Sequence, residues 1–139
     1  MSSNMLSPDY TPSDDEEFMN PMMQEFFRQH LSEWKGELLR ESGQTLHNMQ
    51  TTTSQEADIA DRASVESERA LELRTRDRER KLISKIDAAL RRIESGDYGY
   101  CEDTGEPIGV RRLIARPIAT LSIEAQERHE RMEKTHRDD

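Results

Sequence analysis

A quartet of positions near the C-terminus has the spacing of a structural zinc site but lacks most of its ligands. The quartet consists of two pairs separated by 17 residues, Cys101 with Thr104 and Ser122 with Ala125. Structural zinc needs four good donors, mostly thiolate or imidazole. Hydroxyl groups are very weak zinc ligands, and alanine offers no donor. His129 and Glu124 could be recruited as substitutes, but the closed tetrahedral requirement favours a module without metal.

A pair of acidic residues, Asp58 and Asp61, lies at a predicted helix start. At a spacing of three, the two side chains lie on neighbouring faces of a helix. Taken alone, the pair favours capping and a stabilising contact with the helix dipole. The alternative interpretation is an acidic tip that is presented to a partner, close to a catalytic magnesium ion.

A run of charge follows over residues 74–81, where the net charge is +3. Such runs usually form a solvated helix face with ion pairs between residues four apart, here Glu72 with Arg76. A positive band on an acidic protein could instead bind an anionic partner or a nucleotide. A second basic cluster, whose spacing is not that of a phosphate-binding loop, consists of Arg111, Arg112 and Arg116.

No catalytic constellation is visible in the sequence. The histidines have no metal-binding spacing and stand at His30, His47, His129 and His136. A Ser/His/Asp arrangement has no support. Trp34 and the phenylalanines fall on a helical stripe, which indicates core packing. The chain is therefore predicted not to be an enzyme.

Two long helices are predicted to position these residues. The first begins after Asn20-Pro21, with asparagine as the cap and proline in the first turn. It runs for about 30 residues, although Gly36 and Gly43 weaken it. Its apolar stripe repeats at steps of three and four and consists of Met23, Phe27, Leu31, Trp34 and Leu38, extended by Leu46 and Met49.

A turn is predicted at residues 51–54, where threonines and a serine favour a break and a new helix start. The second helix is predicted to run from about Asp58 to Ser95. Its stripe is plain at Leu82, Ile86, Leu90 and Ile93, and thins towards the turn to Ile59, Ala63, Ala70 and Leu73. Two long helices with a short connection should pack antiparallel.

The chemistry changes from Gly96 onward. Glycines at positions 96, 99, 105 and 109 divide the chain into short segments, which indicates a small β-turn or ribbon module. A last helix is predicted near residues 118–135, with Leu121 and Ala125 facing the core. The apolar residues expected to hold the module together are Ile108, Val110, Leu113, Ile114, Ile118, Leu121 and Ile123.

Composition fits thin helical packing, because 32% of the 139 residues are hydrophobic and 35% are charged. The net charge of −9 argues against direct DNA binding. No targeting signal or membrane span is visible, and the single cysteine cannot form an internal disulfide. A cytoplasmic protein is therefore expected.

The predicted fold class is mostly α. A long antiparallel coiled-coil hairpin is expected on a small globular base, which holds a degenerate zinc-finger-like module and a C-terminal helix. The expected domains are a flexible acidic tail over 1–16, an N-terminal segment and hairpin over 17–95 with its tip at about 51–63, and the base module over 96–139.

Several stretches together resemble the DksA/TraR family of RNA polymerase-binding transcription factors. The resemblance covers about residues 16–134 and is carried by residues 17–20, 58–63, 71–85, 99–101, 109–113 and 115–117. It implies a coiled coil that enters the polymerase secondary channel. It also implies that guanosine tetraphosphate (ppGpp) acts with the factor to repress ribosomal RNA promoters and activate some biosynthetic promoters in the stringent response.

The resemblance also assigns roles to individual residues. Asp58, Asp61 and Ala63 fall on the family's active tip, near the polymerase catalytic centre, and Arg78 falls where the family contacts polymerase. Positions that line the ppGpp site correspond to Leu82, Lys85 and Arg116. A further lysine of that site corresponds to Gln126. Three of the family's four zinc cysteines are missing, which is typical of a zinc-independent branch.

Two other functions fit parts of this pattern. A Gre-type transcript cleavage factor also carries acids on a coiled-coil tip, where they hold magnesium, but its base differs from a degenerate zinc ribbon. A structural coiled-coil adaptor would have no role at polymerase.

Overall fold

A computed structural model describes residues 6–55 and 59–138, with side chains described except at 44–62 and 136–139. The described chain contains four helices: α1 at Pro21–Gln55, α2 at Ile59–Ser95, α3 at Val110–Ala115 and α4 at Ile123–Asp138. It divides into two compact units. The hairpin unit comprises residues 32–87, and the base unit comprises residues 1–31 and 88–139. No helix in the described ranges is long and apolar enough to cross a membrane.

The start of α1 confirms the predicted cap. Asn20 Oδ1 accepts a hydrogen bond of 2.9 Å from the backbone N–H of Met23. The Asn20 amide is itself held, because it donates to a carboxylate oxygen of Glu16 at 3.1 Å and to the backbone carbonyl of Glu17 at 2.9 Å. The cap satisfies one of the free N–H groups of the first turn, an effect worth about 1 kcal/mol.

The prediction of a turn at residues 51–54 is wrong, because α1 continues to Gln55. Threonine lowers helix stability by less than about 1 kcal/mol per residue, so a few threonines do not end a helix. Gly36 and Gly43 also lie within α1. The second helix begins at Ile59, close to its predicted start, and the connection at 56–58 lies outside the described residues.

The hairpin unit confirms the predicted pairing of the two helices. Leu38 of α1 and Ile86 of α2 are both buried. Lys35 Nζ lies 2.8 Å from Asp87 Oδ1, so that the beginning of the α1 segment faces the end of the α2 segment. The contact fixes an antiparallel arrangement.

The predicted stripe of α2 near the turn is wrong. Ala63, Ala70 and Leu73 are exposed, and the side chain of Ile59 lies outside the described residues. The less exposed side chains of these turns recur at steps of 4, 3, 4 and 3 and consist of Val65, Arg69, Glu72, Arg76 and Glu79. The packed end of α2 sets this phase, since a coiled coil keeps one face towards its partner. Apolar residues outside that phase remain in solvent.

The core of the base unit combines α1 with the C-terminal module. Met23, Phe27 and Leu31 of α1 have no exposed surface, and neither have Leu113 and Ala125. Tyr98 is 2% exposed. Its ring lies 5.5 Å from that of Phe27, and its hydroxyl donates to the carbonyl of Pro117 at 2.7 Å. The ring contact therefore packs the module against α1, while the hydrogen bond joins two segments within the module.

The module differs from the predicted ribbon. The described residues form one isolated bridge between Tyr100 and Pro107, followed by the short helix α3. The last helix begins at Ile123, because Ser122 Oγ accepts from the backbone N–H of Ala125 at 3.2 Å and caps it.

The predicted core of the module is correct in part. Ile108, Val110 and Leu113 are buried, whereas Ile114 and Ile123 are 39% and 51% exposed. Ile118 and Leu121, placed by the prediction in or near the last helix, are half-buried in the segment that precedes it. A helix of six residues has room for only a narrow buried face, so its remaining apolar residues stay in solvent.

The stretch before α1 packs against the module. The rings of Phe18 and Tyr100 meet edge to face at 5.5 Å. Met19 has a φ of 57°, in the left-handed region, and its side chain covers Gly99. A Cβ at Gly99 would lie 3.1 Å from Met19 Cε, and φ there is +93°. Glycine is required on both counts. Two of the stretches that carry the family resemblance thus contact each other.

Residues 10–16 are organised by one carboxylate, that of Glu16. The hydroxyl of Tyr10 donates to Glu16 Oε1 at 2.7 Å, and the backbone N–H of Ser13 donates to Oε2 at 2.9 Å. The ring of Tyr10 also packs edge to face against Phe26 at 6.0 Å. The hydrogen bonds from Tyr10, then Asn20, then Ser13 lower the pKa of Glu16.

We expect Glu16→Gln to destabilise the protein at neutral pH and to matter little in acid. A carboxyl with a lowered folded-state pKa adds stability above its unfolded pKa and loses it as pH falls through the folded-state pKa. Thermal unfolding of wild type and Glu16→Gln at several pH values would test this. A difference in Tm that stays constant from neutral to acidic pH would contradict it. Glu17→Gln is the matched control, because no contact of its side chain is found among the described residues.

Candidate functional site

The predicted acidic tip falls at the edge of what the structure describes. Asp58 lies outside the described residues, and Asp61 lies within α2 with its side chain outside them. Ala63 is exposed on the first turns of α2. The roles of these three residues therefore stay predictions.

A cationic stripe runs along one side of α2, within the hairpin unit. It consists of Arg74, Arg78, Lys81 and Lys85, which recur at steps of 4, 3 and 4 and are all exposed. Residues at this spacing share one helix face. Lys81 Nζ lies 3.4 Å from Asp77 Oδ2, in an exposed pair that contributes little.

The stripe presents unbalanced positive charge. Within the described part of the chain, no ion pair involves Arg74, Arg78 or Lys85. The sequence alone favoured a solvated face with internal ion pairs over residues 74–81. The observed stripe extends that run to Lys85 and places Arg74, Arg78 and Lys85 on one side of α2, whereas Arg80 is exposed on another side. The 4-3-4 spacing was the signal that could have revealed it.

The residues predicted to line a nucleotide site lie in both units. Leu82 is half-buried and Lys85 is exposed in the hairpin unit. Arg116 lies in the base unit at the C-terminal end of α3 and is exposed. Gln126 is half-buried on α4, where its amide donates to Glu130 Oε1 at 3.2 Å.

The basic cluster of α3 is partly committed to other contacts. Arg112 Nε donates to the carbonyl of Leu121 at 2.9 Å, which ties α3 to the segment before α4. Arg111 lies 3.6 Å from Asp14, in a pair whose two side chains are 93% and 63% exposed. The described polar contacts of Arg116 are made by its backbone, whose N–H donates to the carbonyl of Arg112 at 2.7 Å and whose carbonyl accepts from the N–H of Ala119 at 3.0 Å. Its exposed guanidinium has no partner among the described residues.

Two of the other degenerate zinc positions, Thr104 and Ser122, lie near the buried sulfur atom of Cys101. Cys101 is 3% exposed and carries a free thiol. Burial, the largest single influence, raises its pKa. This is outweighed by hydrogen bonds from the backbone of Ser122, from both the side chain and the backbone of Thr104, and from the backbone of Asp103. Together these donors lower the pKa of Cys101 to about 6.

These residues do not fit a zinc ion. Thr104 Oγ1 accepts a hydrogen bond from the backbone N–H of Glu106 at 3.2 Å, and Ser122 Oγ caps α4, so both hydroxyls are already used. Ala125 supplies no donor. Over the described residues, no group of three His, Cys, Asp or Glu side chains is placed to hold a metal. The hydroxyls at two of these positions are bonded to the protein itself.

One contact in the module was missed by sequence reasoning. His129 Nε2 lies 2.8 Å from Asp103 Oδ2, which joins α4 to the loop that also supplies a hydrogen bond to Cys101. The two residues are 26 positions apart, and nothing in their spacing marks them as partners. The contact links the loop that follows Cys101 to α4.

Two family models match the chain. Residues 23–93 match the "DnaK suppressor protein DksA, N-terminal domain". Residues 96–131 match the "Prokaryotic dksA/traR C4-type zinc finger", the region whose donors do not fit zinc here.

Relatives and one solved structure agree with these matches. The RNA polymerase-binding transcription factor DksA of Caulobacter vibrioides is 66% identical over 131 residues, which cover 94% of this chain and 92% of that protein. The RNA polymerase-binding transcription factor DksA of Escherichia coli K12 is 45% identical over 125 residues, which cover 90% of this chain and 83% of that protein. The structure of transcription factor DksA2 from Pseudomonas aeruginosa aligns with a TM-score of 0.81 at 43% identity, covering 86% of this chain and 94% of that one.

We expect the thiol of Cys101 to titrate near its lowered pKa. Ultraviolet absorbance of the thiolate should rise with a midpoint at a pH of about 6, with Cys101→Ser as the blank. The same hydrogen bonds should stabilise the fold above the pKa of the unfolded thiol, and this stability should be lost as pH falls through about 6. A midpoint of about 8.5, the pKa of an ordinary thiol, would contradict stabilisation of the thiolate by Ser122, Thr104 and Asp103.

Proposed function

The chain belongs to the DksA family, and from this we propose that it binds bacterial RNA polymerase and regulates transcription. The relatives are named for that binding and match the chain over nearly its whole length. Polymerase resides in the cytoplasm, which is where we place the protein. We propose no direct sequence-specific DNA contact, in keeping with the net charge of −9.

The cationic stripe is the observation that carries this proposal. An exposed row of cations with few local partners attracts an anionic surface and increases the rate of association. We propose that Arg78 contacts polymerase directly and that the hairpin inserts into the secondary channel. The chain would thus bind through charge that its own fold leaves unbalanced.

We further propose that ppGpp acts as an effector at the interface with polymerase. Lys85 and Arg116 would bind its phosphates, and Leu82 would contact its apolar part. Both cationic groups are exposed, and an Arg guanidinium suits phosphate geometry. Gln126 would contribute no charge, so this chain should bind the nucleotide less tightly than relatives with lysine there. With the nucleotide, the chain would repress ribosomal RNA promoters and activate some biosynthetic promoters.

We assign the regulatory effect itself to the tip, with Asp58 and Asp61 as its acidic residues and Ala63 beside them. A carboxylate brought near the catalytic centre of polymerase would perturb the local charge there. This effect requires no hydrolysis of RNA by the chain, which distinguishes the proposed function from that of a Gre-type cleavage factor.

We also propose that the protein folds and acts without zinc. The zinc-finger-like module is held by its apolar core, by the hydrogen bond from Tyr98 to Pro117, and by the donors around Cys101. These contacts do what four metal bonds would otherwise do.

Replacing Asp61 with Asn should abolish regulation while leaving the fold and polymerase binding within about twofold of wild type, because the substitution keeps the size of the side chain. In vitro transcription from a ribosomal RNA promoter, with binding measured in parallel, checks this. Glu66→Gln is the matched control, because Glu66 is an exposed acid less than two turns after Asp61 in α2. Unchanged regulation by Asp61→Asn would show that the tip assignment is wrong.

The same protein should not shorten RNA in a backtracked polymerase complex. Cleavage that depends on Asp58 or Asp61 would favour the Gre-type function instead. Failure to bind core polymerase at all would favour a structural adaptor.

If the protein folds without zinc, removing zinc should not change its stability or its activity. Elemental analysis of the purified protein should find far less than one zinc per chain, and a strong chelator should leave Tm and regulation unchanged. Stoichiometric zinc, or unfolding by the chelator, would contradict the proposal. The four-cysteine relatives provide the positive control.

A further inference from the structure

The hairpin unit changes character along α2. Near Asp87 its packing is apolar, with Leu38 and Ile86 buried and the Lys35–Asp87 ion pair at its edge. We call residues 80–87 the inner turns of α2. Residues 63–79, the outer turns, have a different set of side chains facing the partner helix.

Charged side chains occupy the packed positions of the outer turns. Arg69, Glu72 and Arg76 are half-buried, and Glu79 is buried. They follow the same alternation of three and four that places apolar residues in the seam of a coiled coil. Each polar residue at such a position lowers the stability of helix pairing. The outer turns are therefore held less strongly than the inner ones.

Glu79 is the most buried of these charged residues. Its side chain belongs to a residue that is only 6% exposed, and within the described part of the chain its Oε2 has no hydrogen-bond donor. Removing a carboxyl oxygen from water without a compensating donor is unfavourable. The cost arises only when the helices are paired.

Leucines of the same turns lie on the wrong side for packing. Leu71 is 57% exposed and Leu73 is 47% exposed. The two leucines are the neighbours of Glu72 in the chain, so each points about 100° away from it around the helix axis, on opposite sides. Their apolar surface contributes little to the pairing, which removes a stabilising term that the inner turns retain.

We propose that the outer turns of α2 open as a unit of their own, with Glu79 at the boundary, while the inner turns stay paired. The hairpin then contains a conformational device that lets the residues nearest the tip change their pairing with α1 without unfolding the rest. This goes beyond the proposed function and can be measured without polymerase.

Hydrogen exchange of backbone amides in the full chain, followed by mass spectrometry, tests the proposal. Amides at 66–79 should exchange at least about tenfold faster than those at 82–87, because local opening has a lower free energy than opening of the packed turns. Similar rates in the two ranges would overturn the proposal.

Glu79→Leu should slow exchange over 66–79 by about tenfold, since it replaces an unpaired buried carboxyl with an apolar side chain. Glu79→Gln, which removes the charge but keeps the size, should slow it less. Glu68→Leu is the matched control, because Glu68 is an exposed acid of the same turns, and it should leave the rates unchanged. Slowing by Glu68→Leu equal to that by Glu79→Leu, or none by either change at Glu79, would overturn the proposal.

Discussion

The pairing of α1 with α2 is the interaction on which the other features depend. Within the hairpin unit it rests on buried apolar residues such as Leu38 and Ile86 and on the Lys35–Asp87 contact. Because one side of α2 is committed to α1, its remaining surface is fixed as well, and the cations at steps of 4, 3 and 4 form one exposed stripe. A change in the phase of α2 would move these cations into the seam. The proposed interface is thus a direct consequence of helix packing.

The base unit solves a different problem, which is how to keep a zinc-finger-like module folded with one cysteine. In the zinc-free fold that we propose, weaker contacts of several kinds replace four metal bonds. The residues beside Cys101 are Asp103 and Thr104 of its own loop and Ser122, which also caps α4, and Asp103 contacts His129. Each contact is modest by itself, but all of them close the same small loop against the core around Tyr98 and Leu113. A module of this kind would lose the metal as a point of attack for oxidants and chelators, while keeping one acidic thiol.

The sequence predicted those features that depend on local chemistry or on a strong period. Asn20 and Pro21 marked the start of α1, and the steps from Leu82 to Ile93 marked the packed end of α2, because capping and periodicity are written in neighbouring residues. It failed where tertiary packing decides. The threonines before Gln55 remained helical, and the seam of the outer turns followed the phase of the inner ones in spite of its charges. The Asp103–His129 contact joins distant positions that carry no common pattern. The pair Asp58 and Asp61 was identified from its spacing, its role as the active tip came from a family resemblance, and its geometry lies outside the described side chains.

If the exposed row of cations on α2 binds RNA polymerase, a binding titration with matched variants will show it. Core polymerase is titrated into fluorescently labelled chain, with and without ppGpp, for wild type, Arg78→Glu and Arg80→Glu. Both arginines are exposed and two residues apart, but only Arg78 belongs to the stripe. We expect saturable binding that is weakened by salt, lost in Arg78→Glu and retained in Arg80→Glu. Absence of binding by the wild type, or equal loss in the two variants, would contradict it.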